Sequence, residues 1–164
     1  MIKVLTIFGT RPEVIKLYPL IEELKEDKDF DTKILNTGQH KEMVNELLNI
    51  FNIKPDFSLN IMEEKQSLEH ITKGVLDGVG KILNEEKFDI VIVQGDTTTT
   101  FVSSLTSFYH KIPVGHVEAG LRTNNIYYPF PEEMNRILTD KLSTLNFAPT
   151  ENAKNNLIKE GVDE

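Results

Sequence analysis

The sequence predicts an α/β domain with a doubly wound parallel sheet, and two patterns support that prediction. The apolar run Ile90–Gln94 is typical of a strand buried on both faces, as in a parallel sheet covered by helices. Strand-like and helix-like segments also alternate along the chain, which is the order of parallel βαβ units. No linker-like, low-complexity or repeated segment interrupts them, so we expect the 164 residues to form one Rossmann-like domain.

The first strand and helix are marked by the turn between them. Residues 4–8 form a strand pattern, and Gly-Thr-Arg-Pro-Glu follows at positions 9–13. Pro12 suits the first turn of a helix and Glu13 suits the positive end of its dipole, which predicts a helix over residues 12–26. Its apolar stripe is formed by Val14, Leu17, Leu20, Ile21 and Leu24.

Three further segments follow before the central apolar run. We expect a strand over residues 32–36, then a helix with an apolar side, and a short strand at residues 57–59. A helix over residues 67–83 comes next. Its glycines, Gly74, Gly78 and Gly80, each weaken it by up to about 1 kcal/mol relative to Ala, so a neighbour is expected to pack very close to it. They follow no strand, so we reject a dinucleotide-binding motif here.

The strand Ile90–Gln94 leads directly into a polar corner. Gly95 permits a sharp turn, and Asp96 then stands at the carboxyl end of the strand, where open α/β sheets bind ligands. The four threonines at positions 97–100 are expected to cap and open a helix over residues 97–109, whose amides suit a phosphate or another anion. The alternative is that Asp96 only caps this helix.

The last third of the chain continues the alternation. We expect a strand over residues 113–117, a loop over residues 118–131 and a helix at Glu132–Leu142. A strand at residues 145–148 and a helix over residues 151–160 complete the chain. Polar side chains then collect at the strand exits, on one edge of the sheet. They are Thr10, Arg11, Glu13, Gln39, His40, Asp96, His116 and Glu118.

These residue types suggest acid–base chemistry next to an anion. Asp96, Glu118 and Glu132 could each act as general acid or base if a dry, like-charged environment raised the pKa. Arg11 and Lys16 suit a diphosphate, the first through its planar fork and the second as a point charge.

Structural explanations remain open for the same residues. Lys16 and Glu13 could form a solvated helix face, and Arg122 could simply hold its loop in place. Glu132 could complement a helix dipole. His116 lies inside a predicted strand, where a histidine is more often part of the core than a catalyst.

Composition limits the classes of function. The formal charge of −8, from 18 basic and 26 acidic side chains, argues against nucleic acid as the main partner. The absence of cysteine excludes a disulfide framework, a thiolate zinc site and a cysteine nucleophile. No histidine pair has metal-ligand spacing, so we expect no metal. The first apolar run is too short for a signal peptide or a membrane span, which predicts a cytoplasmic protein without a membrane partner.

Four long motifs resemble the non-hydrolysing UDP-N-acetylglucosamine 2-epimerases, in the order of that family and over essentially the whole chain. They are IFGTRPEVIKLYPL, TGQHKEMV, VQGDTTTTFVSSLTSFYHKIPVGHVEAGLRT and PFPEEMNRILTDKLSTLNFAPTE. The resemblance implies one half of a GT-B type two-domain fold and interconversion of UDP-GlcNAc and UDP-ManNAc, which supplies ManNAc for surface polysaccharides. It implies no cofactor. Members of the family are about twice as long, so the carboxy-terminal half that completes the cleft is expected to be missing from this chain.

The chemistry implied by the resemblance is elimination of UDP to give a 2-acetamidoglucal, followed by re-addition of UDP. Such a path needs a base at C2, carboxylates near the cationic C1 and cationic groups on the diphosphate. Asp96, Glu118, Glu132 and Lys16 match the catalytic positions, although which carboxylate removes the C2 proton stays open. We assign substrate binding to four other residues: Arg11, Thr10, His116 and Arg122.

The resemblance also implies a regulatory UDP-GlcNAc site and a homodimer. Gln39, His40 and Glu132 match the regulatory site, whereas Glu42 and Lys65 differ from the residues common in bacterial members. Three alternatives remain: a hydrolysing epimerase, a GT-B glycosyltransferase, and a non-catalytic binding or dimerisation module. The chain alone is expected to be inactive.

Overall fold

A computed structural model describes residues 1–38, 41–61 and 66–163. Strands and helices alternate along the chain as the sequence predicts. The strands are β1 (Ile2–Phe8), β2 (Phe30–Asn36), β3 (Phe57–Ser58), β4 (Ile90–Gln94), β5 (Val114–Val117) and β6 (Leu145–Phe147). The helices are α1 (Arg11–Glu26), α2 (Lys41–Ile50), α3 (Leu68–Glu85), α4 (Thr98–Tyr109), α5 (Glu132–Leu142) and α6 (Glu151–Lys159). In the described parts of the chain, no helix is both long and apolar enough to cross a membrane.

The strands form one parallel sheet in the order β3-β2-β1-β4-β5-β6. The chain moves outward from β1 to β3 and then returns to the other side of β1 to place β4. This reversal between β1 and β4 is the switch point at which doubly wound sheets open a crevice. The predicted α/β class and the doubly wound sheet are confirmed.

Two apolar layers cover the sheet, and β1 contributes to both because its side chains alternate between faces. Leu5 and Ile7 pack in a cluster with residues of α3 and α4. Val4 and Phe8 pack in a second cluster with residues of α1 and α2. The helices that follow β1 and β4 therefore lie on opposite faces, which leaves their first turns on either side of the crevice.

The close approach predicted by the glycines of α3 comes from the β3 side. A Cβ built on Gly74 would lie 2.9 Å from Ile61, and one built on Gly78 would lie 2.5 Å from Leu59. These two glycines let the segment after β3 lie directly on the helix. Gly80 is different, because a Cβ there would meet only ordinary contacts of 3.7 Å or more.

The turn after β4 shows which residue is the N-cap of α4. Gly95 has φ +78, as the sharp turn requires. The N-cap of α4 is Thr97, whose hydroxyl accepts a hydrogen bond from the Thr100 amide at 3.1 Å. The hypothesis that Asp96 caps the helix is therefore wrong. A hydroxyl one residue later takes the capping position, which leaves the carboxylate available to other partners.

Candidate active site

A cavity of about 280 Å³ opens at the switch point. The exits of β1, β4 and β5 contribute to it, together with the first two turns of α1 and Arg136 of α5. Its polar lining includes Thr10, Lys16, Gln94, Asp96, Glu118 and Arg136. Four of these, Thr10, Lys16, Asp96 and Glu118, are residues that the sequence analysis assigned to the site, and the fold brings them together.

Glu13 joins two of the loops that line the cavity. Its carboxylate accepts hydrogen bonds from the amides of Gly9 and Thr10, at 2.6 and 2.8 Å. It also accepts from the hydroxyls of Thr97 and Thr100, at 2.5 and 3.2 Å. Burial raises the pKa of Glu13 above its ordinary value, although the hydrogen bonds act in the opposite direction. Glu13 thus ties the β1 exit to the β4 exit and is not a solvated helix face.

Lys16 and Glu118 form an ion pair across the cavity. Lys16 Nζ lies 2.7 Å from one carboxylate oxygen of Glu118 and 2.5 Å from the other. Gln94 donates a further hydrogen bond to the same carboxylate. Glu118 has φ +70, a conformation that non-glycine residues adopt rarely and that often marks functional sites.

Asp96 forms a second ion pair, with Arg136 of α5. Arg136 also lies 3.3 Å from a carboxylate oxygen of Glu133, and Asn135 donates to the backbone carbonyl of Asp96 at 3.0 Å. Glu133 is fully buried and accepts from the Thr123 amide at 2.8 Å. Two of the carboxylates that line the cavity, Glu118 and Asp96, therefore each face a cation of their own.

His116 and Arg122 belong to a buried network behind the cavity. His116 is fully buried, with its ring nitrogens 2.5 Å from Asp140 and 2.6 Å from the Gly95 carbonyl oxygen. The Arg122 side chain is 3% exposed and pairs with Asp140 at 2.7 Å and with Glu160 at 2.7 Å. Neither residue belongs to the lining of this cavity, and the substrate-binding role assigned to both stays a prediction.

The remaining predicted residues are not part of the cavity lining or lie outside the described parts of the chain. Arg11 is exposed at the first position of α1, and Glu132 is partly buried at the first position of α5. Neither belongs to the lining of this cavity. Gln39, His40 and Lys65 lie outside the described residues, as does the side chain of Glu42.

Sequence reasoning missed Gln94, Glu133 and Arg136. The spacing of Glu133 and Arg136 on one helix indicates an i,i+3 pair, but nothing local connects Arg136 to Asp96, which lies 40 residues away. Among the described residues, no group of three carboxylates or histidines could hold a metal ion.

Comparison with known proteins identifies the family. A model of the family described as UDP-N-acetylglucosamine 2-epimerase matches residues 22–164. The chain belongs to this epimerase family. The UDP-N-acetylglucosamine 2-epimerase of Bacillus subtilis is 55% identical over 159 residues, which cover 97% of this chain and 42% of the relative. The chain thus spans less than half the length of the curated relatives it matches.

Solved structures support the same assignment. The epimerase of Neisseria meningitidis, bound to UDP-GlcNAc, superposes with a TM-score of 0.94 at 53% identity, covering 99% of this chain and 44% of that one. MurG of Acinetobacter baumannii superposes with a TM-score of 0.69 at 15% identity, covering 93% of this chain and 43% of that one, which is a likeness of fold alone. This chain therefore has the fold of one half of a GT-B protein.

Proposed function

We propose that this chain is the amino-terminal half of an enzyme that interconverts UDP-N-acetylglucosamine and UDP-N-acetylmannosamine. The observation that carries the proposal is the pairing of two carboxylates with two cations in one cavity, Glu118 with Lys16 and Asp96 with Arg136. Membership of the epimerase family supports the choice of substrate.

In the proposed reaction, a carboxylate removes the C2 proton while the bond between C1 and the diphosphate oxygen breaks. UDP leaves with the bonding electron pair, and a C1=C2 double bond forms in the 2-acetamidoglucal. A proton then returns to C2 from the opposite face, and the diphosphate oxygen bonds to C1 again. Asp96 and Glu118 supply the base and the negative charge beside the cationic C1, and Lys16 supplies positive charge for the departing diphosphate.

A second half of the protein is needed in this proposal. The cavity of about 280 Å³ is at the lower limit of the roughly 300–1,000 Å³ usual for ligands of drug size, and the chain covers only 42% of the Bacillus subtilis relative. A nucleotide sugar therefore needs a second wall, and we expect the 164-residue chain alone to show only trace epimerisation. The enzyme is proposed to act as a homodimer in the cytoplasm and to supply ManNAc units for polysaccharides.

Proton exchange tests this function. The longer protein that contains this chain is incubated with UDP-GlcNAc in D₂O, and ¹H NMR follows deuterium at C2 and the appearance of UDP-ManNAc. We expect both in the longer protein and only traces in the 164-residue chain. Release of free UDP and N-acetylmannosamine as the main products would instead indicate the hydrolysing reaction. Full activity of the 164-residue chain would contradict the need for a second half.

A further inference from the structure

The carboxylate of Glu13 contacts two separate parts of the fold, one through each oxygen. Oε2 accepts from the amides of Gly9 and Thr10, at 2.6 and 2.8 Å, where the chain leaves β1. Oε1 accepts from the hydroxyl of Thr97, at 2.5 Å, where the chain leaves β4. Glu13 is only 2% exposed, so these hydrogen bonds lie in a low-dielectric environment that strengthens them. One side chain therefore holds the two strand exits together.

The contact with Thr97 extends the influence of Glu13 to Asp96. Thr97 directly follows Asp96 and is the N-cap of α4, so the side chain that Glu13 holds also fixes the start of that helix. Asn135 donates to the Asp96 carbonyl at 3.0 Å, which holds the same turn from the side of α5. Glu13 holds it from the side of α1. The turn that carries Asp96 is therefore placed between two helices.

Glu13 also relates Asp96 to the other ion pair of the cavity. Lys16 lies three residues after Glu13 on α1, and residues at that spacing lie on the same face of a helix. Lys16 Nζ is 2.7 Å from a carboxylate oxygen of Glu118. Asp96 pairs with Arg136 on the other side of the cavity. The separation of the two ion pairs therefore depends on how the first turn of α1 lies against the turn after β4.

We propose that Glu13 is a positioning residue for the epimerase reaction, which fixes the turn carrying Asp96 relative to the helix carrying Lys16. This role needs the length and the hydrogen-bonding capacity of the side chain, and it does not need the negative charge. A misplacement of about 1 Å in an active site can cost about a hundredfold in rate, so the connection between the two loops matters for turnover. The catalytic part of the inference rests on the proposed function, whereas the placement of Asp96 is measured independently of it.

Glu13→Gln is expected to preserve the connection, with the direction of one hydrogen bond reversed. The introduced amide oxygen accepts from the two backbone amides at the β1 exit, and the introduced NH₂ group donates to the Thr97 hydroxyl. That hydroxyl can then direct its own proton to the Thr100 hydroxyl, 3.1 Å away. The Thr100 hydroxyl donates in turn to the Gln94 carbonyl at 2.7 Å. Both hydroxyl protons therefore keep an acceptor in this variant.

Glu13→Asp and Glu13→Leu remove the connection in different ways. The first keeps the charge but shortens the side chain by one methylene, so it cannot contact the β1 exit and Thr97 at the same time. The second leaves the two amides and the hydroxyl without their acceptor. In the longer enzyme, turnover should stay close to wild type in Glu13→Gln and fall roughly tenfold or more in the other two, with KM little changed. Higher turnover in Glu13→Asp than in Glu13→Gln would overturn the inference, because charge would then matter more than length.

The placement of the turn is measured by NMR, from the backbone amide signals of Asp96 and Thr97 in the 164-residue chain. They should shift in Glu13→Asp and Glu13→Leu and stay close to wild type in Glu13→Gln. Val14→Ala is the matched control, because it removes buried volume at the next position of α1 and lowers stability without changing the contacts of Glu13. Turnover that simply follows the melting temperatures of the four variants would show that Glu13 has only a structural role.

The two proposals fail in distinguishable ways. An inactive wild-type longer enzyme would reject the proposed function, while the Asp96 and Thr97 amide signals would still decide whether Glu13 places the turn. Unchanged amide signals in Glu13→Leu would reject the positioning role even in an active enzyme. If Glu13→Leu does not fold, the comparison of Glu13→Asp with Glu13→Gln remains decisive.

Discussion

Lys16 and Glu118 are 102 residues apart in sequence, yet Lys16 Nζ lies 2.7 Å from a carboxylate oxygen of Glu118. Lys16 comes from the second turn of α1, and Glu118 directly follows β5. The pair spans the cavity at the switch point, where it places a cation directly beside a carboxylate. Since Lys16 is 48% exposed, the pair contributes only about 0–1 kcal/mol to stability, and its position suggests a role in catalysis.

Replacement of Lys16 tests that role. In the longer enzyme, Lys16→Met should lower turnover by about a hundredfold or more, because the departing diphosphate loses a cation and Glu118 loses its partner. The melting temperature should change little. The matched control is Lys73→Met, which removes an exposed lysine paired with Asp77 at 2.6 Å on α3. Equal activity in the two variants would show that the Lys16 pair is only a surface ion pair.

Asp96→Asn separates charge from shape at the second ion pair. We expect turnover to UDP-ManNAc to fall about a hundredfold or more, because Asn keeps the size of the side chain but cannot act as a base or stabilise a cation. Thr97→Ala is the comparison, since it removes the true N-cap and should lower stability by about 1 kcal/mol. An unchanged turnover number in Asp96→Asn would remove Asp96 from the chemistry.

Glu13→Gln should change how stability depends on pH. Burial raises the folded-state pKa of Glu13 above its ordinary value of 4.5. The contribution of Glu13 to folding stability is therefore fully present below pH 4.5 and declines as pH rises through the folded-state pKa. Gln can still accept from the Gly9 and Thr10 amides and donate to the threonine hydroxyls. The stability of wild type relative to Glu13→Gln, from urea unfolding, should therefore fall with rising pH. Glu23→Gln, at an exposed position on α1, should show no such trend.

Glu160→Gln should change the pH dependence of stability in the opposite direction. The hydrogen bond from Arg122 lowers the folded-state pKa of Glu160, so its contribution is present above the ordinary value of 4.5 and is lost as pH falls through the lowered value. Wild type should exceed Glu160→Gln in stability at neutral pH and approach it in acid. Glu85→Gln, which removes an exposed glutamate of α3, is the control. A difference that grows in acid would contradict the assignment.

Gly120→Ala and Gly161→Ala isolate the effect of a close backbone approach. The two glycines have similar positive φ values, +84 and +81, so Ala costs about 1 kcal/mol or more at either position. A Cβ at Gly120 would in addition collide with the Ala153 carbonyl oxygen, whereas one at Gly161 would meet nothing within 4 Å. Thermal unfolding should show a clearly larger loss for Gly120→Ala. Equal losses would mean that α6 can move away from the loop.

Short-range sequence patterns were sufficient to predict the strands and helices themselves. The predicted strand Ile90–Gln94 and helix Glu132–Leu142 have the predicted bounds, because apolar runs, caps and turn residues act within a few positions. The capping of α4 was less predictable, since Asp96 and Thr97 are both good N-caps. Both residues also contact side chains far along the chain: Asp96 pairs with Arg136, and Thr97 donates a hydrogen bond to Glu13. Sequence neighbours alone therefore do not show which of them caps the helix.

The sequence by itself therefore determined the fold class, the edge of the sheet that carries the site, and the positions of Asp96 and Glu118 on that edge. Periodicity and turn chemistry are local properties, and parallel strands necessarily share their carboxyl edge. Only the tertiary structure decided which charges pair: Lys16 with Glu118, Asp96 with Arg136, and His116 with Asp140. An ion pair depends on distances of a few ångströms between separate elements, and those distances exist only once the strands and helices have packed.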